Sequence, residues 1–178
     1  GGGASASWAT FSARAIFEDR DGRVWVNANE QLYVEDEPGG DLVSFRPPGQ
    51  AIPDWARPDW SMGTTSIVQD QEGAIWLTSG DGLHRYDPVT RQYRVYRHDP
   101  DRPESLLDPQ SAEQIRGGFE DREGAIWVVT PRYLSRLEDP EAGRFRHVRH
   151  TSDADARDGG TVFLSMHEDA QGRFWIAT

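Results

Sequence analysis

Four tryptophans pace this chain. Trp25, Trp76, Trp127 and Trp175 stand 51, 51 and 48 residues apart. Around them runs one phrase in four versions: "EDRDGRVWV", "QDQEGAIWLT", "EDREGAIWVVT" and "EDAQGRFWIAT". An Asp, then a Gly, then the Trp recur as Asp19, Gly22 and Trp25; Asp70, Gly73 and Trp76; Asp121, Gly124 and Trp127; Asp169, Gly172 and Trp175. Seven residues past the first three tryptophans comes a leucine: Leu32, Leu83 and Leu134. A second aromatic stretch follows in "QYRVYRH" and "RFRHVRH", with "LVSF" as the weaker counterpart in the first unit. A period of this length is the mark of a repeat architecture and outranks any local reading.

Each unit reads as four short strands joined by turns. In the second, the expected strands are Ser66 to Gln69, Ala74 to Thr78, Leu83 to Tyr86 and Gln92 to Arg97. They are called A to D below. The A–B link is an Asp-x-Glu-Gly hairpin, in which Asp accepts backbone N–H bonds and Gly takes positive φ. No segment sustains a 3.6-residue apolar period, so little helix is expected. "AIW" and "VWV" are continuous apolar runs, as in strands buried on both faces. Four-stranded units of about 50 residues that stack face to face make an all-β propeller, with Trp filling the space between blades. Leucine-rich repeats are too short for this period, and HEAT or TPR arrays need helices.

The expected divisions are a lead-in at 1–13, blade one at 14–47, a long loop at 48–64 and blade two at 65–98. A link at 99–114, blade three at 115–150, a link at 151–160 and the first two strands of blade four at 161–178 follow. Propellers close with about 4–8 blades, so some three and a half blades form an open arc. Its end blades would expose apolar faces and strand edges, predicting poor stability or aggregation in isolation. The chain begins Gly1-Gly2-Gly3 without an initiating Met and stops on "FWIAT". Both ends read as cuts in a longer protein.

Composition removes several functions. The net charge of -11 argues against a nucleic-acid partner. The absence of Cys excludes disulfides and thiolate metal sites. All 19 basic residues are Arg, a coding signature more than a functional one. No apolar run approaches the roughly 20 residues of a membrane helix.

The phrases "EDREGAIWVVT", "GLHRYDP" and "YRHDPDRPESL" resemble the two-component regulator propeller repeat. Unit two carries the resemblance best, through Asp70, Gly73, Trp76, Thr78, Gly82, Leu83, Arg85, Tyr86, Asp87 and Pro88. Unit one departs at Asn27-Ala28-Asn29-Glu30, and unit three at Pro131-Arg132-Tyr133, where glycines are usual. The resemblance implies a sensor region outside the cytoplasmic membrane of a bacterial signalling protein. It also implies further propeller blades and a histidine kinase or diguanylate cyclase output beyond this chain, in a membrane-anchored dimer. Ligands in that family are often carbohydrate fragments.

Other chemistries fit less well. A calcium loop would use the carboxylates of the repeated turn, as in Asp121-Arg122-Glu123-Gly124, but only unit one pairs Asp19 with Asp21, and unit four has Gln171. The sialidase Asp-box places Gly two and Trp five residues after Asp; here the separations are three and six in all four copies. His147 and His150 have a ligand-like spacing, yet three residues along a strand points them to opposite faces. "GDGLHR" joins two strands and lacks the helix N-terminus that would hold a phosphate. No metal and no cofactor are expected. A lyase or hydrolase built on a propeller would need His and carboxylates converging at one mouth. A protein-binding scaffold is a third possibility that the acidic, aromatic-rich composition permits.

Ligand contacts are expected where the copies disagree. The loop "RPPGQAIPDWARPDWSMGT" carries Trp55 and Trp60, with Arg57 between them. Long unstructured links are uncommon and often functional. B–C loops open at the same end of the channel as D–A links, adding Asn29, Asp81 and Arg132. Aromatic faces with Arg, Asp and Asn beside them suit a sugar or other polyhydroxyl ligand.

Overall fold

The computed structural model describes residues 13–28, 31–46, 66–80, 82–107, 115–130, 133–149 and 165–177. All regular structure among them is β. The first sheet is β1 (Ala13–Glu18), β2 (Val24–Ala28), β3 (Gln31–Glu35) and β4 (Leu42–Ser44). The second is β5 (Ser66–Gln69), β6 (Ile75–Ser79), β7 (Gly82–Tyr86) and β8 (Tyr93–Tyr96). The third is β9 (Gly117–Glu120), β10 (Ile126–Val129), β11 (Tyr133–Asp139) and β12 (Arg144–Arg149), and β13 (Ser165–Glu168) pairs with β14 (Phe174–Ala177). Each sheet is an antiparallel meander in sequence order. This is a partial β-propeller.

Strand limits in unit two differ from expectation by a residue. Strand B starts at Ile75 rather than Ala74, because the Ala74 N–H is held by Asp70 Oδ1 at 2.8 Å and its carbonyl accepts the Asp70 N–H. Strand C starts at Gly82, whose φ of +148° is open to few other residues.

The core lies between sheets rather than within them. Period-2 alternation sends Trp25 toward sheet two, where it joins Phe45, Ile67, Ile75 and Leu77. Trp76 points toward sheet three, among Leu83, Tyr96, Ile126, Val128, Leu137 and Phe145. Trp127 lies 5.5 Å from Phe174 of the last hairpin, ring to ring. All of β6 is buried, as an inter-blade strand must be. Inner strands sit side by side, β1 against β5, β5 against β9 and β9 against β13. Gly118 permits one such approach: its N–H donates to Ser66 Oγ at 2.8 Å, and an added Cβ would lie 2.9 Å from Thr78 Cγ2.

Candidate functional site

The repeated Asp residues are wholly engaged in building hairpins. Asp19 Oδ1 accepts the N–H groups of Asp21 and Arg23 at 3.1 and 2.9 Å. Asp121 Oδ1 does the same for Glu123 and Ala125 at 3.0 and 2.8 Å, and Asp169 for Gln171 and Arg173 at 2.9 and 3.0 Å. The second oxygen accepts the indole N–H of the following Trp: Trp25 at 2.9 Å, Trp76 at 2.6 Å, Trp127 at 2.7 Å and Trp175 at 2.7 Å. Gly22, Gly73, Gly124 and Gly172 close the turns at φ values of 80°, 94°, 81° and 76°. These carboxylates are spent on N–H donors and do not converge as cation ligands. The Trp175 indole, with the Arg173 and Gln171 N–H groups, holds Asp169 down to a pKa of about 2. No group of three or more His, Asp or Glu able to hold a metal occurs among the described residues.

A second recurring device ties blade to blade. The backbone N–H just after each Asp donates to the side chain just before the Asp of the next blade. Arg20 N–H reaches Gln69 Oε1 at 2.8 Å, Gln71 N–H reaches Glu120 Oε1 at 3.0 Å, and Arg122 N–H reaches Glu168 Oε2 at 2.8 Å. Burial raises the Glu120 pKa above the usual glutamate value, against the pull of that N–H donor. Sequence reading expected the Asp to accept backbone N–H groups of the hairpin, but missed the Asp–indole bond of the first device and all of the second. The constant Asp-to-Trp separation of six was the available signal for the first.

The structure also shows a buried polar chain that sequence reading missed. Where β6 turns into β7, Ser79 Oγ lies 2.7 Å from His84 Nε2, and His84 Nδ1 lies 2.6 Å from the Tyr93 hydroxyl. Ser79 and His84 are buried. The signal was the His itself, since the same strand position holds Tyr33 in unit one and Ser135 in unit three. A Ser–His–Tyr series is chemically competent for general-base activation of a hydroxyl. Here, with Ser79 and His84 buried and Tyr93 half-buried, it ties three strands of blade two. In blade three, Ser135 Oγ lies 2.9 Å from His147 Nδ1, and His147 Nε2–H donates to the Ser105 carbonyl at 3.0 Å. Burial lowers the His147 pKa, favouring the neutral ring, which pins the 99–107 link to β12.

At the opposite end, among the A–B and C–D turns, a cleft of about 810 Å3 separates blades two and three. Its charged lining is largely self-paired: Arg94 with Glu141 at 3.3 Å, and Arg85 with Glu72 at 3.9 Å. Arg91 stands at its rim with φ of 58°. The six ligand-contact candidates Trp55, Arg57, Trp60, Asn29, Asp81 and Arg132 all lie outside the described residues. The described strand ends flanking three of them are Ala28, Gly82 and Tyr133.

No family model and no curated protein matches the chain. Solved structures do. The chain is similar to the extracellular domain of BT3049 from B. thetaiotaomicron, described as a hybrid two component system, at 20% identity and a TM-score of 0.69. The match covers 92% of this chain and 22% of that one. The extracellular domain of BT4673 from the same organism, described likewise, matches at 19% identity and a TM-score of 0.64 over 93% of this chain and 19% of that one. Virginiamycin B lyase from Staphylococcus aureus matches at 16% identity and a TM-score of 0.63, over 92% of this chain and 48% of that one. The chain thus spans about a fifth of the two extracellular domains. At these identities the likeness is one of fold.

Proposed function

We propose that this chain is a ligand-sensing propeller segment from the extracytoplasmic part of a bacterial two-component-type signalling protein. The carrying observation is the distribution of chemistry along the repeat. Every copy of the repeated phrase spends its Asp and Gly on the turn and its indole N–H on that Asp, and the first three place the Trp between blades. The B–C and D–A links, where the copies also differ, carry further polar and aromatic residues outside that phrase. Likeness in fold to extracellular domains of two hybrid two component systems supports the signalling context, as does the resemblance of the repeated phrase. In this reading Trp55, Trp60, Arg57, Asn29, Asp81 and Arg132 meet a carbohydrate or similar polyhydroxyl ligand at the mouth. Binding alters blade packing, and further blades and an output domain of the parent carry the change across the membrane.

The test is calorimetric titration of the intact parent with a panel of neutral and acidic oligosaccharides. Trp55→Ala and Arg132→Ala each weaken binding of the responding sugar at least tenfold while the melting temperature is kept. Unchanged affinity in both overturns the site. A second reading, a lyase or hydrolase, draws on the Ser79–His84–Tyr93 chain and on the likeness in fold to virginiamycin B lyase. It requires turnover that His84→Ala abolishes; sugar binding without turnover favours the sensor.

A further inference from the structure

Blade two turns a row of three large side chains toward blade three. Strand pairing sets Trp76, Arg85 and Arg94 directly beside one another across β6, β7 and β8, on one wall of the cleft of about 810 Å3 between those blades. Both walls are four-stranded sheets of this chain. Each guanidinium is held over a buried ring: Arg85 Cζ lies 5.8 Å from the Trp76 centroid, and Arg94 Cζ 5.3 Å from that of Tyr96. Like charges directly opposite on neighbouring strands repel. The carboxylates that offset them are loosely held. Glu72 approaches Arg85 only to 3.9 Å and Glu141 reaches Arg94 at 3.3 Å, from side chains 84% and 96% exposed. Ion pairs so exposed contribute little and yield to a better anion.

A third guanidinium stands at the same rim under backbone strain. Arg91, at φ of 58°, is the one non-glycine residue with positive φ among the described residues, and blade three has Gly143 in that conformation. Arg91 is exposed, lines the same cleft and forms no ion pair among the described residues. Strained backbone of this kind collects at ligand clamps and active sites.

We propose that this cleft is an anion site, separate from the mouth assigned above, and that its ligand is a small molecule bearing two negative charges. Arg85, Arg91 and Arg94 share those charges, while Glu72 and Glu141 swing out to solvent. Guanidinium forks suit carboxylate, sulfate and phosphate oxygens alike. Glu120 and Glu123 line another part of the cleft, so the remainder of the ligand is uncharged and extended polyanions are refused.

Calorimetric titration of the intact parent at constant ionic strength tests this. The probes are inorganic sulfate as a compact dianion, succinate as an extended one and acetate as a single charge. One of the two dianions binds saturably, about tenfold or more tighter than acetate. Arg91→Gly, which supplies the residue blade three has, and Arg94→Gln each weaken that binding about fivefold or more. Glu141→Gln removes the competing carboxylate and tightens it about threefold. Arg122→Gln, an equal loss of charge in the A–B turn of blade three, leaves it unchanged. Should Arg94→Gln fail to fold, Arg91→Gly and Glu141→Gln decide, since both positions are exposed. No saturable binding of either dianion, equal weakening in Arg122→Gln, full affinity in Arg91→Gly or no tightening in Glu141→Gln overturns the proposal.

Discussion

The indole N–H of Trp76 donates to Asp70 Oδ2 at 2.6 Å, while Asp70 Oδ1 takes the Ala74 N–H at 2.8 Å. One buried carboxylate thus fixes both the turn and the ring that enters the space between blades. Asp70→Ala leaves a buried indole N–H and a buried backbone N–H without partners, a loss of about 2–4 kcal/mol. Asp169→Ala removes the same bonds in the exposed last hairpin, where water replaces them, and costs less than Asp70→Ala. Urea unfolding of the two variants checks the contrast; equal losses would show that the bond matters regardless of burial.

Gly82 approaches the outer strand so closely that an added Cβ would lie 2.3 Å from the Tyr96 carbonyl oxygen. Its φ of +148° is unfavourable for any side chain as well. Gly82→Ala therefore costs on the order of 3 kcal/mol. Gly39 also has positive φ, 74°, but a Cβ added there would meet nothing within 4 Å, so Gly39→Ala costs only about 1 kcal/mol. Thermal melts of the pair separate clash from backbone strain.

Architecture was legible in the sequence because it is written locally and repeatedly. Asp, Gly and Trp at constant spacing specify a hairpin and a buried strand within ten residues. What escaped was non-local: Gln71 finds Glu120, and Gly82 finds Tyr96, only once blades and strands are assembled. Ser79, His84 and Tyr93 belong to three strands, and nothing in their spacing reports that they meet. Ligand contacts were read from differences between copies, and the residues so chosen lie in links outside the described positions.

Gln69 already performs with an amide what Glu120 performs with a carboxylate, since both accept the N–H that follows the preceding blade's Asp. Glu120→Gln should therefore keep the tie. Burial raises the Glu120 pKa, so the folded state holds its proton more tightly than the unfolded chain. That contribution is full below the ordinary glutamate pKa and is lost as pH rises through the raised value. At pH 7 Glu120→Gln is neutral or stabilising, whereas Glu120→Ala loses about 1 kcal/mol. Denaturant midpoints at pH 4 and pH 7 decide it.

Arg91 adopts φ of 58° in the C–D turn of blade two, where blade three has Gly143 at 65°. Arg91→Gly relieves that strain at the expense of a more flexible unfolded chain, leaving a net change within about 1 kcal/mol. A melting temperature raised or held by Arg91→Gly, and lowered by the β-branched Arg91→Val, verifies the left-handed turn.

His147 supplies the pH dependence. Its Nε2–H donates to the Ser105 carbonyl and its Nδ1 faces Ser135 Oγ, and burial lowers its pKa. Between that lowered value and the ordinary histidine pKa of about 6.5, the unfolded chain binds more protons than the folded one. Stability is therefore full above about pH 6.5 and declines as pH falls toward the folded value. His147→Gln keeps a donor and an acceptor but cannot titrate, so it flattens this part of the stability curve. The 99–107 link should loosen along with it, because His147 holds that link to β12. Histidine ring titration by NMR, beside denaturant midpoints from pH 5 to pH 8, checks both statements. A His147 that titrates at or above the ordinary value, or a slope that survives His147→Gln, refutes them.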